Sequence, residues 1–241
     1  MMRKWFFRRV VLSWVLIFLL MAGWYTVFQQ EEALIETNIV AYQQTELEIV
    51  RAAAQGVESY VRDQTEAHQR TDISEFEQEI FKKFIIPIHL LENGDAWIYA
   101  PDYVVFDLSE DFPDEYFGKS MAEIFEIQKV NGASHYEEMT ADIKVAREGQ
   151  GWYIWLPEKG KEIAAWTPAR VGEYVWMIGL STPLSEILES TGAAEQIRIL
   201  KMNMGIETLA LLMIFLMWVS VSIRQDRAER ALEKSEIRLV T

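Results

Sequence analysis

The chain has 241 residues, half of them apolar, no cysteine, and a formal net charge of −14. The lack of cysteine excludes disulfides, cysteine-ligated zinc, iron–sulfur clusters and CxxCH haem attachment, and the acidic balance argues against nucleic acid or anionic lipid as a partner.

The apolar residues are concentrated in two blocks. After a basic start at residues 1–9, with Arg3, Lys4, Arg8 and Arg9, the run from Val10 to Phe28 carries no charge. It approaches the ~20 residues that a helix needs to cross ~30 Å of hydrocarbon, so residues 10–28 are predicted to span a membrane. Bulky Trp24, Tyr25 and Phe28 stand where a signal peptidase needs small residues, and the run exceeds a signal peptide's apolar core, so the segment is expected to remain as an anchor.

From Gln29 to about Arg70 the chain is charged and proline-free, with Leu47, Val50, Ala54, Val57 and Val61 spaced 3,4,3,4. That stripe predicts a long helix and extends back at seven-residue steps to Val40 and Ala33. It suits packing on the chain's own domain or on a twin helix, and a homodimer is expected. Asp72 with Glu75, and Ser74 with Glu77, have capping-box spacing. A second helix through FEQEIFKKFI should then end at Pro87.

After the turn signal ENGD, AWIYAPD and YVVFDL read as a β-hairpin. SEDFPDEYFGKSMAEIFEIQ reads as a loop with a short helix, and SHYEEMTADIKVAREGQG as an amphipathic helix closed by glycine. GWYIWLP, KEIAAWTPARV and EYVWMIGL are three further strand candidates, joined by turns at EKG and VGE. The sum is an α+β fold: a long N-terminal helix and an antiparallel sheet of about five strands.

A helix over residues 183–200 is expected to run unbroken into the second block, so that residues 204–223 form a second span. Glu207 lies near its outer end, close enough to reach the interface. Residues 224–241 follow with Arg224, Arg227, Arg230, Lys234 and Arg238, and with Ala228, Leu232, Ser235 and Leu239 at coiled-coil spacing. Basic residues outside both spans predict that both termini are cytoplasmic and residues 29–200 extracytoplasmic. Those residues hold 13 Lys or Arg and 32 Asp or Glu, so the external segment has a charge of 13 − 32 = −19.

This order, with Gly151-Trp-Tyr-Ile-Trp155 followed by Trp176-Met-Ile-Gly179 ahead of the last helix, resembles a single Cache domain. Cache domains are the PAS-like extracytoplasmic sensors of bacterial and archaeal membrane receptors. The tail is similar to the linker that leads into a PAS or kinase module in membrane histidine kinases. The resemblance implies a two-span sensor that binds a small molecule outside the membrane and signals through its second span to a cytoplasmic output module.

In a strand, alternate residues share a face, so Tyr153 and Trp155 lie on one side and Trp152 and Ile154 on the other. One face must pack on the long helix; the other is where a PAS-like sheet cups a ligand, with residues 109–150 as a lid. Most aromatics are expected in the core, and the candidates for ligand contact are Tyr99, His135, Tyr153, Trp155, Trp166 and Arg170. Arg170 suits a carboxylate through paired hydrogen bonds, whereas tryptophan and tyrosine faces suit an amine.

His68, His89 and His135 show no i,i+4 pairing and no HExxH, so no metal site is expected, and no cofactor. GxSxG, P-loop and GxGxxG motifs do not occur, and no enzymatic activity is expected of the chain. The alternatives are an external protein-interaction domain without a small-molecule ligand, or an accessory subunit of a membrane enzyme.

Overall fold

The computed structural model describes residues 2–109 and 112–240, and the side chains of residues 11–109, 112–228 and 231–232. Helix α1 (Met2–Glu66) carries no proline, and its 65 residues include the first apolar block. Two helices are long and apolar enough to cross a membrane, α1 and α6 (Ala193–Val240).

Leu34–Ala194 form one compact unit; the chain up to Ala33 and from Glu195 onward forms another. In the second of these, Trp24 Nε1 donates to Thr208 Oγ1 at 3.2 Å and Lys201 pairs with Glu31 at 2.7 Å. Trp14, Phe18, Met213 and Leu216 are exposed, as side chains facing lipid are. Leu232 is exposed too. The side chains of Arg3, Lys4, Arg8, Arg9, Arg230, Lys234, Ser235, Arg238 and Leu239, which carry much of the predicted orientation and coiled coil, lie outside the described ones.

In the unit Leu34–Ala194, the 3,4 stripe of α1 faces the sheet of its own chain. Leu47, Val50, Ala54, Val57 and Val61 are all buried there, which leaves these five positions no surface for a twin helix, whereas Val40 is exposed. Asp72 accepts from Ser74 N and caps a 3₁₀ turn, Ile73–Glu75. Helix α2 (Glu77–Ile80) then continues as a π-helical turn, Phe81–Ile85, and stops before Pro87.

Six strands follow rather than five: β1 (His89–Leu90), β2 (Gly94–Tyr99), β3 (Val104–Asp107), β4 (Gly149–Tyr153), β5 (Glu162–Val171) and β6 (Tyr174–Pro183). The unforeseen one is β1, too short for a periodic signal. All pairings are antiparallel, in the order β1-β2-β6-β5-β4, with β3 on the free side of β2.

Between β3 and β4 lie a 3₁₀ turn at Asp114–Tyr116 and helices α3 (Met121–Val130) and α4 (Glu137–Lys144). Ser120 and Glu123 form a reciprocal capping box that starts α3, a signal the sequence carries in SMAE. Helix α4 ends at Lys144, with Val145 as its cap; the glycines expected to close it, Gly149 and Gly151, instead lie in β4.

The helix expected over 183–200 is broken. Helix α5 (Leu184–Ser190) stops at Thr191-Gly192, where Gly192 has φ +73°, and α6 starts one residue later. Glycine tolerates that left-handed backbone at no steric cost, which is why the chain can turn there.

The sheet separates two apolar layers. Ala96, Ile98, Ala165, Ala169, Trp176, Ile178 and Leu180 pack towards α1 and α2. Trp97, Tyr99, Tyr153, Trp155, Ala164, Trp166 and Met177 pack with Phe112, Tyr116, Met121, Ile124, Tyr136, Met139 and Ile143 from the segment carrying α3 and α4. The aromatic runs are therefore split by parity between a helix-facing core and a roofed face.

Candidate functional site

On the roofed face a cleft opens between the sheet and the segment 112–139. Its aromatic walls are Trp97, Tyr99, Phe112, Tyr136, Tyr153 and Trp155, with Met139. Its polar residues are Asn93, Asp95, Asp107, Ser109, Glu162 and Ser181. The rings stack in pairs: Trp97 on Tyr99 with centroids 4.6 Å apart, Tyr136 on Tyr153 at 5.2 Å, and Phe112 on Trp155 at 5.8 Å. Tyr136 meets Trp155 edge-on at 5.8 Å, which links the roof to the sheet.

Backbone register explains these positions. Alternation along β2 puts Asp95, Trp97 and Tyr99 on one face, and Trp97 pairs across with Gly179 of β6. A Cβ on Gly179 would collide with the Trp97 indole, so the Trp-x-x-Gly end of β6 is a seat for that ring. Across β5, Trp166 lies over the edge strand, where Cβ atoms at Gly149 or Gly151 would crowd its indole. Both glycine motifs in the aromatic strands thus make room for tryptophan on the roofed face.

Asp107 reaches the cleft through an irregularity. Trp97 pairs with Asp107 and Ile98 with Phe106, but Tyr99 pairs with Val104, leaving Val105 as the extra residue of a bulge. Strict alternation would put Val104 and Asp107 on opposite faces; the extra residue resets the parity so that both serve the roofed side.

The Asp107 carboxylate accepts from Ser109 N at 2.9 Å and from Tyr99 Oη at 3.2 Å. Burial pushes its pKa up to about 7, against the opposing effect of those two hydrogen bonds, and the nearby charges of Asp95 and Glu162 add to the rise. Burial also raises Tyr99, Tyr136 and Tyr153, with contributions from the same carboxylates, so these phenols stay neutral.

Two lining groups are unsatisfied. Trp97 Nε1 and Tyr136 Oη are buried without a hydrogen-bond partner. Leaving a buried donor unmade costs roughly 1–3 kcal/mol, a cost that a bound polar molecule removes.

Of the residues proposed from sequence, Tyr99, Tyr153 and Trp155 line the cleft together. Trp166 belongs to the same apolar layer but is occupied as an anchor: its Nε1 donates to Asp142 Oδ2 of α4 at 3.2 Å, and Arg147 binds the other oxygen of Asp142. His135 is exposed, with φ +64°, and packs tilted against Trp152 with ring centroids 3.9 Å apart, outside the cleft lining. Arg170 is also outside it: its side chain is exposed near the β5–β6 turn, and its backbone N–H donates to Glu58 of α1 at 2.8 Å. Asp95, Trp97, Phe112, Asp107, Tyr136 and Glu162 were missed. The alternation in DAWIY carries Asp95 and Trp97, whereas Asp107 depends on a bulge and Tyr136 on the tertiary placement of the roof.

No family model matches the sequence, and no curated protein matches it. Among solved structures, the periplasmic sensory domain of the Campylobacter jejuni chemoreceptor Tlp1 is similar at 13% identity and a TM-score of 0.37, over 46% of this chain and 36% of that one.

Proposed function

We propose that Leu34–Ala194 is an extracytoplasmic, PAS-like sensor domain of the Cache type that binds a small molecule in the roofed cleft. It signals through α6 to a cytoplasmic output module of the histidine-kinase kind. The observation that supports this most is the cleft itself, a site with aromatic walls and a few placed polar groups, two of them buried without partners.

The cleft has a cavity volume of ≈ 20 Å³, room for about one water molecule. A ligand therefore enters by lifting the roof, and it favours the lifted arrangement only to the extent that it binds that arrangement better. The displacement is passed along β6, whose Asp95–Ser181 and Trp97–Gly179 pairs floor the cleft, into α5, across the Thr191-Gly192 break and into α6.

The small volume also favours a second reading, an external interaction domain that takes no ligand. A thermal-shift screen of the full chain in nanodiscs against small carboxylates, amino acids and amines separates the two, since a ligand that binds only the folded state raises the melting temperature. A hit should also change disulfide crosslinking between cysteines placed along residues 206–223; equal crosslinking with and without it contradicts signalling through that helix.

A further inference from the structure

The chemistry of the cleft narrows the ligand class. Three carboxylates, Asp95, Asp107 and Glu162, line it, and none of its lining residues is Lys, Arg or His, although His89 lies 3.8 Å from Asp95 outside the lining. Ring faces attract cations, most strongly where water is excluded, and six aromatic side chains form these walls. A carboxylate ligand would meet like charge here, and Arg170, its expected partner, is elsewhere.

Trp97 Nε1 adds a second demand. It can only donate, it is buried to 3% exposure, and it has no acceptor. Tyr136 Oη, on the roof and without a partner, can donate or accept. A bare ammonium would meet Asp107 and leave the indole N–H orphaned; an oxygen on the same molecule would meet that donor as well.

We infer that the cleft binds a small organic cation carrying an acceptor oxygen, an amino alcohol or its N-methylated relative, with the cationic head held by Asp107 and the aromatic walls and the oxygen by Trp97. This rests on the ligand-sensing reading and specifies its ligand. Tyr99 Oη and Ser109 N fix the Asp107 carboxylate at the sheet edge, so the charge is presented in one orientation.

The test is calorimetric titration of the full chain in nanodiscs with choline, ethanolamine, tetramethylammonium, the uncharged carbon isostere of choline, acetate and lactate. Choline or ethanolamine should bind at least about tenfold more tightly than the uncharged isostere, a difference of about 1.4 kcal/mol. Asp107→Asn, which keeps the size and the acceptor for Ser109 N but not the acceptor for Tyr99 Oη, should remove most of that preference. Trp97→Phe should weaken choline more than tetramethylammonium, which has no oxygen; equal weakening overturns the assignment of Trp97. Tighter binding of acetate or lactate overturns the cation inference and leaves the sensor reading standing. Failure of every compound to bind at millimolar concentration overturns the cation inference, and the thermal-shift screen then decides the sensor reading.

Discussion

Asp107→Asn tests the electrostatics of the cleft without any ligand. The carboxyl titrates at about 7 in the folded domain against an ordinary 3.8. The folded state therefore holds a proton that the unfolded chain releases, and stability falls as pH rises between those values. About three pH units at about 1.36 kcal/mol each set a ceiling of about 4 kcal/mol, and since Asp107 is partly open to water, about 2 kcal/mol is the working figure. The amide introduced by the substitution accepts from Ser109 N through its carbonyl and never ionises, so the variant should gain on the wild type through that window. For a domain of this size, about 2 kcal/mol corresponds to roughly 4–8 °C in melting temperature. Thermal melts of both proteins in nanodiscs, at about pH 5 and about pH 8, capture about two thirds of that gain, since the window opens near pH 3.8. A difference that is the same at both pH values, or a variant less stable at the higher one, refutes the reasoning.

The other expectations use neighbouring features. Glu46 of α1 is fully buried beside Thr182 and without an ordinary hydrogen bond; burial raises its pKa well above the usual value, with Thr182 opposing and Glu162 adding. Glu46→Gln should reduce the loss of stability with rising pH, read from urea melts across the acidic to neutral range. Gly179→Ala forces a methyl into the Trp97 ring and should cost roughly 1–3 kcal/mol together with any ligand affinity, measured by melting and titration. Trp166→Phe deletes the donor to Asp142 and should cost about 1 kcal/mol and loosen α4, seen as faster hydrogen exchange there. Arg170→Ala should leave ligand affinity unchanged, because the side chain is exposed outside the cleft; a large loss would place the ligand elsewhere.

Periodicity carried most of the fold into view. The 3,4 stripe from Leu47 to Val61 and the alternation in DAWIY and GWYIW need only local geometry, and each lies on the layer that its spacing implies. What the sequence hid depends on pairing. Asp107 reads as facing the other side until the Val105 bulge is known. Gly149 looks like a helix terminator, because nothing local says that it lies under Trp166. Arg170 drew attention as a lone cation among aromatics, yet its place near a turn put it in solvent, while the cleft's charge comes from carboxylates scattered along three strands, β2, β3 and β5.

Whether a ligand occupies the roofed face is tested most directly by hydrogen exchange on the full chain, with and without choline or ethanolamine. The expected result is slower exchange in β2, Gly94–Tyr99, and in α4, Glu137–Lys144, lost in Asp107→Asn. No slowing in either element, or slowing confined to α1 on the opposite face of the sheet, would contradict a ligand site between the aromatic strands and their roof.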